Sequence, residues 1–146
     1  MVELLVVIGI IGVLSGTVIL VNPRKQLQRG NDGQRKADLV LISSALESYY
    51  QDIGDYPGAV NACIVLSSTG NTIKPLLEPN HVKKMPRDPK FSATTDYIYW
   101  HNAVGEYRLY AVLEDSAANS VLTNDGGTIC TGTASHAAYN YKVTNP

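Results

Sequence analysis

A chain of 146 residues with 45% hydrophobic residues and a formal net charge of −1 has room for one domain and an appended segment. The near balance of charge excludes a partner held mainly by long-range electrostatics, nucleic acid first among them. Two cysteines, Cys63 and Cys130, are too few for a disulfide scaffold and lack metal-ligand spacing.

The chain opens on its most apolar stretch. Glu3 is followed by twenty uncharged residues, and no charge returns until Arg24. Coiled as a helix, such a run is about 30 Å long, the thickness of a bilayer's hydrocarbon core. A cleaved signal peptide fits poorly, because the start is acidic and the run is too long. A buried core helix is usually shorter, about 10–14 residues. Residues 1–22 therefore read as a transmembrane helix. Gly9, Gly12 and Gly16 line one side of it, and small-residue stripes let helices approach closely in lipid; glycine is also simply frequent there. On the residues alone, Glu3 is an interfacial carboxylate near the membrane surface or a buried one with a use, since a carboxylate in hydrocarbon costs roughly 2.5–3.5 kcal/mol.

Asn22-Pro23 breaks or kinks this helix, and Gly30 and Gly33 loosen the next stretch, so residues 23–34 are expected as a linker, flexible or melted. Arg24, Lys25, Arg29, Arg35 and Lys36 crowd this part of the chain against only Asp32 and Asp38. By the positive-inside rule that cluster would put the C-terminal part in the cytoplasm. The cysteines and the Gly/Ser/Thr/Asn-rich tail point the other way. In an oxidising compartment a Cys63–Cys130 bridge is expected; two buried free thiols are the alternative.

Helical periodicity returns over residues 35–54. Leu39, Ile42, Leu46, Tyr49 or Tyr50, and Ile53 form an apolar stripe, with Arg35, Lys36, Glu47 and Gln51 mainly on other faces and Gly54 as the stop. Residues 55–146 have the texture of short strands. Cys63 to Leu66 reads as a strand or short helix, and Lys74 to Lys84 as a short helix interrupted by Pro79. Two antiparallel strands run over Tyr97 to Trp100 and Tyr107 to Leu113, joined around Asn102 to Gly105, with a last strand from Tyr139 to Val143. The fold class is α+β: a long N-terminal helix, broken near Pro23, packed on a small antiparallel sheet with a variable C-terminal loop.

The run Val2-Glu3-Leu4-Leu5-Val6-Val7-Ile8, then Ile10-Ile11-Gly12-Val13-Leu14, resembles the N-terminal signature of type IV pilins and type II secretion pseudopilins. Asp55-Tyr56-Pro57 after the second helix, Met85-Pro86-Arg87-Asp88-Pro89 and Tyr107-Arg108-Leu109-Tyr110 are also similar to pilin-like sequences. The specific part covers roughly residues 1–57, with weaker echoes to about residue 113. In that family a basic leader ending in Gly precedes Phe-Thr-Leu, a prepilin peptidase cuts after the glycine, and the new N-terminus is methylated. Here Met1 stands where the family has Leu, and the leader, Gly, Phe and Thr are absent, so an internal leucine codon read as a start is expected.

The resemblance implies that the subunit sits in the inner or cytoplasmic membrane by one pass. It then leaves lipid and polymerises with identical copies into an extracellular filament through the pilus assembly machinery. It also implies that Glu3 pairs with the N-terminal ammonium of a neighbouring copy and sets the stagger. Glu3, Gly9, Gly12, Gly16 and Pro23 are the residues it assigns to assembly. The family's helix-breaking proline lies a few residues nearer the start than Pro23.

No catalytic constellation is legible, and the chain is not expected to be an enzyme. His81, His101 and His136 are scattered and read as solvated. Glu114, Asp115, Asn119, Asn124 and Asp125 offer hard oxygen ligands beside Gly126-Gly127; a calcium site there is the one ligand reading, comparable to that of some pseudopilins, and a solvated acidic loop is its alternative. The nine tyrosines are either strand core or an exposed binding patch for glycans or peptides. After Gly54 the charges are seven Lys/Arg against eight Asp/Glu, which gives no support to DNA binding. The leading expectation is a pilin. The others are a major pseudopilin of a type II secretion system and, from another class, a membrane-anchored monomeric ligand-binding protein.

Overall fold

Two helices lead and a sheet comes after them. The structure, a computed structural model, describes residues 1–19, 22–66, 70–90, 96–114, 130 and 139–145, with residues 16–19 as helical backbone only. Helices α1 (Val2–Ile19) and α2 (Pro23–Ile53) precede strand β1 (Ile64–Val65), the short helix α3 (Lys74–Leu77), and strands β2 (Ile98–His101), β3 (Tyr107–Ala111) and β4 (Tyr141–Thr144). This is the α+β arrangement expected, with the helix interrupted at Asn22, whose backbone is extended.

The linker expected over residues 23–34 is instead the first three turns of α2. Proline at the first helical position lacks only an amide hydrogen that would have no intrahelical acceptor, so Pro23 starts a helix as readily as it ends one. Asn22 caps it, its side chain accepting from the Lys25 amide at 3.4 Å. Gly30 and Gly33 each cost about 1 kcal/mol relative to alanine. Asp32 and Arg35, in the same turns, are buried against the head and hold the helix there. At 31 residues α2 is about 46 Å long. It ends where Gly54 takes a φ of 83°, a left-handed conformation that favours glycine, and donates to the Tyr50 carbonyl at 2.7 Å.

Leu39, Ile42, Ala45 and Leu46 are the buried stripe of α2. Ile53, expected on that stripe, is 62% exposed. The chain turns at Gly54, and the returning segment packs Tyr56 on Tyr50 and Tyr107 rather than on Ile53.

The sheet runs β1-β2-β3-β4, each neighbouring pair antiparallel. Asn102 builds the β2–β3 turn: its side-chain oxygen accepts from Val104 N at 3.0 Å and Glu106 N at 2.9 Å. Alternation then sorts the strands. Tyr97, Tyr99, Tyr107, Leu109 and Ala111 meet the α2 stripe in the main core. Ile98, Trp100 and Tyr110 form a second cluster on the opposite face with Cys130 and Tyr139. Cys63 and Cys130 are bridged, which ties the approach to β1 to the residues covering that second face.

Six of the nine tyrosines are buried, and of the others only Tyr50 is exposed, so they are core rather than a surface patch. His101 is corrected too. It is buried, stacked on Tyr99, and its Nε2–H donates to the Gly58 carbonyl at 3.2 Å, because position 101 faces the same side of β2 as Tyr99.

Candidate assembly surface

Helix α1 is apolar apart from Glu3, and from residue 2 to residue 15 every side chain of it is exposed. Its large hydrophobic side chains range from 51% exposed at Val7 to 76% at Val2. An all-round apolar helix is stable only inside protein or lipid. Ten such side chains, each more than half exposed, leave roughly 9–18 kcal/mol of transfer free energy unrealised. That is comparable to the whole stability of an ordinary domain, about 5–15 kcal/mol. Among the described residues no helix is long and apolar enough to cross a membrane. Helix α1 supplies eighteen residues, and positions 20 and 21, which extend the apolar run in the sequence, lie outside the described residues.

Glu3 sits in the first turn of α1, exposed, as do Gly9 and Gly12 further along. A Cβ built on Gly9 or Gly12 would meet nothing within 4 Å, so neither glycine is needed for packing within the chain. Gly16 falls within α1, and Pro23 opens α2. Outside α1, the face of α2 turned from the sheet carries exposed Leu27, Val40 and Leu41 beside Gly30, Gly33 and Ala37. Gly30 and Gly33 likewise have open space where a side chain would go.

The head is fastened to α2 by a buried ionic cluster whose central arginine, expected mainly on another face, lies at helical spacing on the stripe of Leu39, Ile42 and Leu46. Arg35 is 2% exposed. Its Nε and Nη2 donate to the two oxygens of Asp88 at 2.6 and 3.0 Å, and Nη1 donates to Asp32 at 2.7 Å. Nη2 also lies 3.0 Å from Glu114, which receives Lys90 Nζ at 2.5 Å and Asn31 Nδ2 at 3.1 Å. Burial pulls the Arg35 guanidinium pKa down, but its carboxylate partners outweigh this and raise it. Burial also pushes Glu114 up, and Lys90, Asn31 and Arg35 outweigh that, holding it below the usual carboxylate range. One turn on, Asp38 accepts from Tyr97 Oη at 2.6 Å; burial raises its pKa despite that bond. The spacing of Asp32 and Arg35 places them on one helix face. Only the tertiary fold brings Asp88 and Glu114 to that face.

Glu114 is thus engaged by Arg35 and Lys90, and binding calcium would require giving up those contacts. Asp115, Asn119, Asn124 and Asp125, the rest of the expected calcium set, lie outside the described residues, as does His136. Among the described residues no group of three or more His, Cys, Asp or Glu is arranged to hold a metal. His81 is not on open surface: its ring contacts Ser48 Oγ at 3.1 Å and the edge of Tyr49.

Set against protein-family models, curated proteins and solved structures, the chain matches none.

Proposed function

We propose that the chain is a structural subunit of a type IV pilus or pilus-like filament, inserted in the inner or cytoplasmic membrane by α1 and later packed through α1 against identical copies. One observation carries this reading: an eighteen-residue apolar helix, opened by a single carboxylate, whose side chains from Val2 to Leu14 are unsheltered by the head. Lipid and then a bundle of like helices are the two environments that relieve such a surface. The resemblance of residues 2–14 to the pilin signature supports the same role and implies processing by a prepilin peptidase.

Glu3 supplies register. Inside a helix bundle a lone carboxylate is tolerable only opposite a cation, and in this reading the cation is the neighbour's N-terminal ammonium. Such a pair adds little net stability, yet a misplaced copy strands a charge at a cost of about 3–5 kcal/mol. Gly9, Gly12 and Gly16, and beyond them Gly30 and Gly33, allow close approach of the neighbouring helices. The role needs no catalytic group and no cofactor.

A pseudopilin of a type II secretion system is the second reading, built on the same helix. The Cys63–Cys130 bridge suits a head held in an oxidising compartment under either reading. The monomeric binding protein is less favoured, since the tyrosines that would form its patch are mostly core.

Electron microscopy of material sheared from cells expressing the natively processed chain tests the proposal. Filaments containing the chain are expected, and Glu3→Gln is expected to abolish or greatly reduce them. Deletion of residues 1–22 separates the classes: a filament subunit loses assembly, whereas a binding protein keeps its ligand. Wild-type filament yield in Glu3→Gln would refute the register role of the carboxylate.

A further inference from the structure

Helix α2 carries its end charges the wrong way round. Anions are favoured at a helix N-terminus and cations at its C-terminus, yet α2 has no acid in its first turn and no base in its last. Arg24 and Lys25 occupy the first turn and Asp52 the last, with Asp55 just beyond the Gly54 cap. The bias extends along the sequence: no acid lies between Glu3 and Asp32, and no lysine or arginine between Lys36 and Lys74. All four end residues are exposed. Among the described residues neither Arg24 nor Lys25 is ion-paired. Asp52 lies 3.8 Å from His81 Nδ1 with its own side chain 68% exposed, and Asp55 accepts from the Tyr56 amide at 2.8 Å.

Each end has an exposed aliphatic side chain as well. Leu27, 63% exposed, lies three positions from Arg24, and Ile53 lies three from the exposed Tyr50, so each pair shares a helix face.

One copy cannot bring these ends together. Arg24 and Asp52 are separated by about 42 Å of helix. Copies polymerised through α1 point the same way, so the tip of one α2 can lie beside the base of another that is displaced by that distance along the filament. There the cations of the base face both the carboxylates and the carbonyl end of the neighbouring helix, which is where the helix dipole favours them. Leu27 and Ile53 then lie within about one turn of each other along the axis.

We propose that the base and tip of α2 form a contact between copies, with Arg24 and Lys25 of one docking beside Asp52 and Asp55 of another about 42 Å away along the filament. This rests on the reading of the chain as a filament subunit and adds a second register to it: Glu3 keys the α1 bundle, and the ends of α2 key the heads. Exposed pairs add little affinity, whereas like charges brought face to face exclude a wrong stagger.

The test counts filaments sheared from cells expressing the natively processed chain. R24E/K25E and D52K/D55K each set like charges against each other at every such contact, and each is expected to lower filament yield by more than about tenfold. The four-substituted chain R24E/K25E/D52K/D55K restores opposite charges with the polarity exchanged, and most of the yield should return. For each variant the membrane-held pool and Trp100 fluorescence of the extracted chain report insertion and an intact head. K25C/D52C reads the same contact without charge reversal: oxidised filaments should give a ladder of covalent multimers on denaturing gels, and K25C or D52C alone should give none. Wild-type yield from either reversal, no recovery in a folded and inserted four-substituted chain, or no ladder from K25C/D52C filaments would each overturn the contact while leaving the filament reading in place. Absence of filaments from the wild type would overturn that reading and this contact with it.

Discussion

Replacing Arg35 by methionine is the most direct test of what fastens the head to α2. The substitution keeps the apolar stem and removes the only guanidinium in a cluster whose side chains are 3% (Arg35), 8% (Asp32), 0% (Asp88) and 16% (Glu114) exposed. Asp88 suffers most, losing both side-chain donors at 2.6 and 3.0 Å while it stays fully buried. Asp32 keeps the Glu114 amide at 2.8 Å, and Glu114 keeps Lys90 and Asn31. The loss is therefore near that of one broken buried pair, about 3–5 kcal/mol, rather than three times that. For a head of this size it corresponds to a fall in Tm of about 10–20 °C. All tyrosines and Trp100 lie at or beyond residue 49, so near-ultraviolet circular dichroism of the full chain in micelles reads the head without α1. Acid should narrow the gap between the two proteins. The depressed Glu114 pKa contributes stability to the wild type that is present above the ordinary carboxylate value and lost as pH falls through the folded one. Adding Asp88→Asn to Arg35→Met should recover part of the loss at neutral pH. A loss below about 1 kcal/mol, or a gap as wide at pH 3 as at pH 7, would refute the cluster as the fastening.

Asp38 should behave with the opposite sign to Glu114. Its folded pKa is raised by burial, so its charge opposes folding at neutral pH and stability is gained as pH falls through that value towards 3.8. Asp38→Asn, which still accepts from Tyr97, should match or exceed the wild-type Tm at pH 7 and lose that acid-side gain, as a pH series of melts would show. Reducing the Cys63–Cys130 bridge, which closes a separation of 67 residues, should cost about 2–4 kcal/mol in denaturant titrations with and without reductant. Gly58 has a φ of 102°, and a Cβ there would sit 3.0 Å from Ile64 Cδ1. Gly58→Ala should therefore destabilise by about 1–3 kcal/mol, and an unchanged chemical-denaturation midpoint would contradict the geometry.

The sheet was legible because its signals are local. Asn102 and Gly105 mark a turn between two runs of alternating aromatic and aliphatic residues, and the pairing of Ile98 with Tyr110 results from that turn. The α2 stripe from Leu39 to Leu46 was legible for the same reason. Pro23 was legible only as a discontinuity: the property that ends one helix suits it to begin another, and residue type does not say which. Gly30 and Gly33 pointed to a melted stretch, and what overrode them was tertiary, the burial of Asp32 and Arg35. Arg35 itself read as a solvated charge because its partners, Asp88 and Glu114, are distant in sequence. His101 was misjudged for a related reason, since a strand end is exposed only if nothing packs on it. For assembly, the sequence displays Glu3 and the apolar run directly, while the exposure of Val2 to Leu14 needed the fold.

Asn140 has a consequence for how this head can vary. Its side chain accepts from Leu113 N at 2.6 Å and donates to Leu113 O at 2.9 Å, copying a strand partner and clasping the point where the chain leaves β3 to the point where it returns before β4. Arg35 secures Glu114 on the departing side, and Tyr139 packs against Tyr110 on the returning side. With both roots gripped by the scaffold, lengthening the intervening chain costs only the slow logarithm of loop closure, about 0.6 kcal/mol per doubling. Cys130 lies between these roots, bridged to Cys63 and packed with Ile98 and Trp100, so a foreign epitope grafted into this part of the chain has to leave that one residue in place.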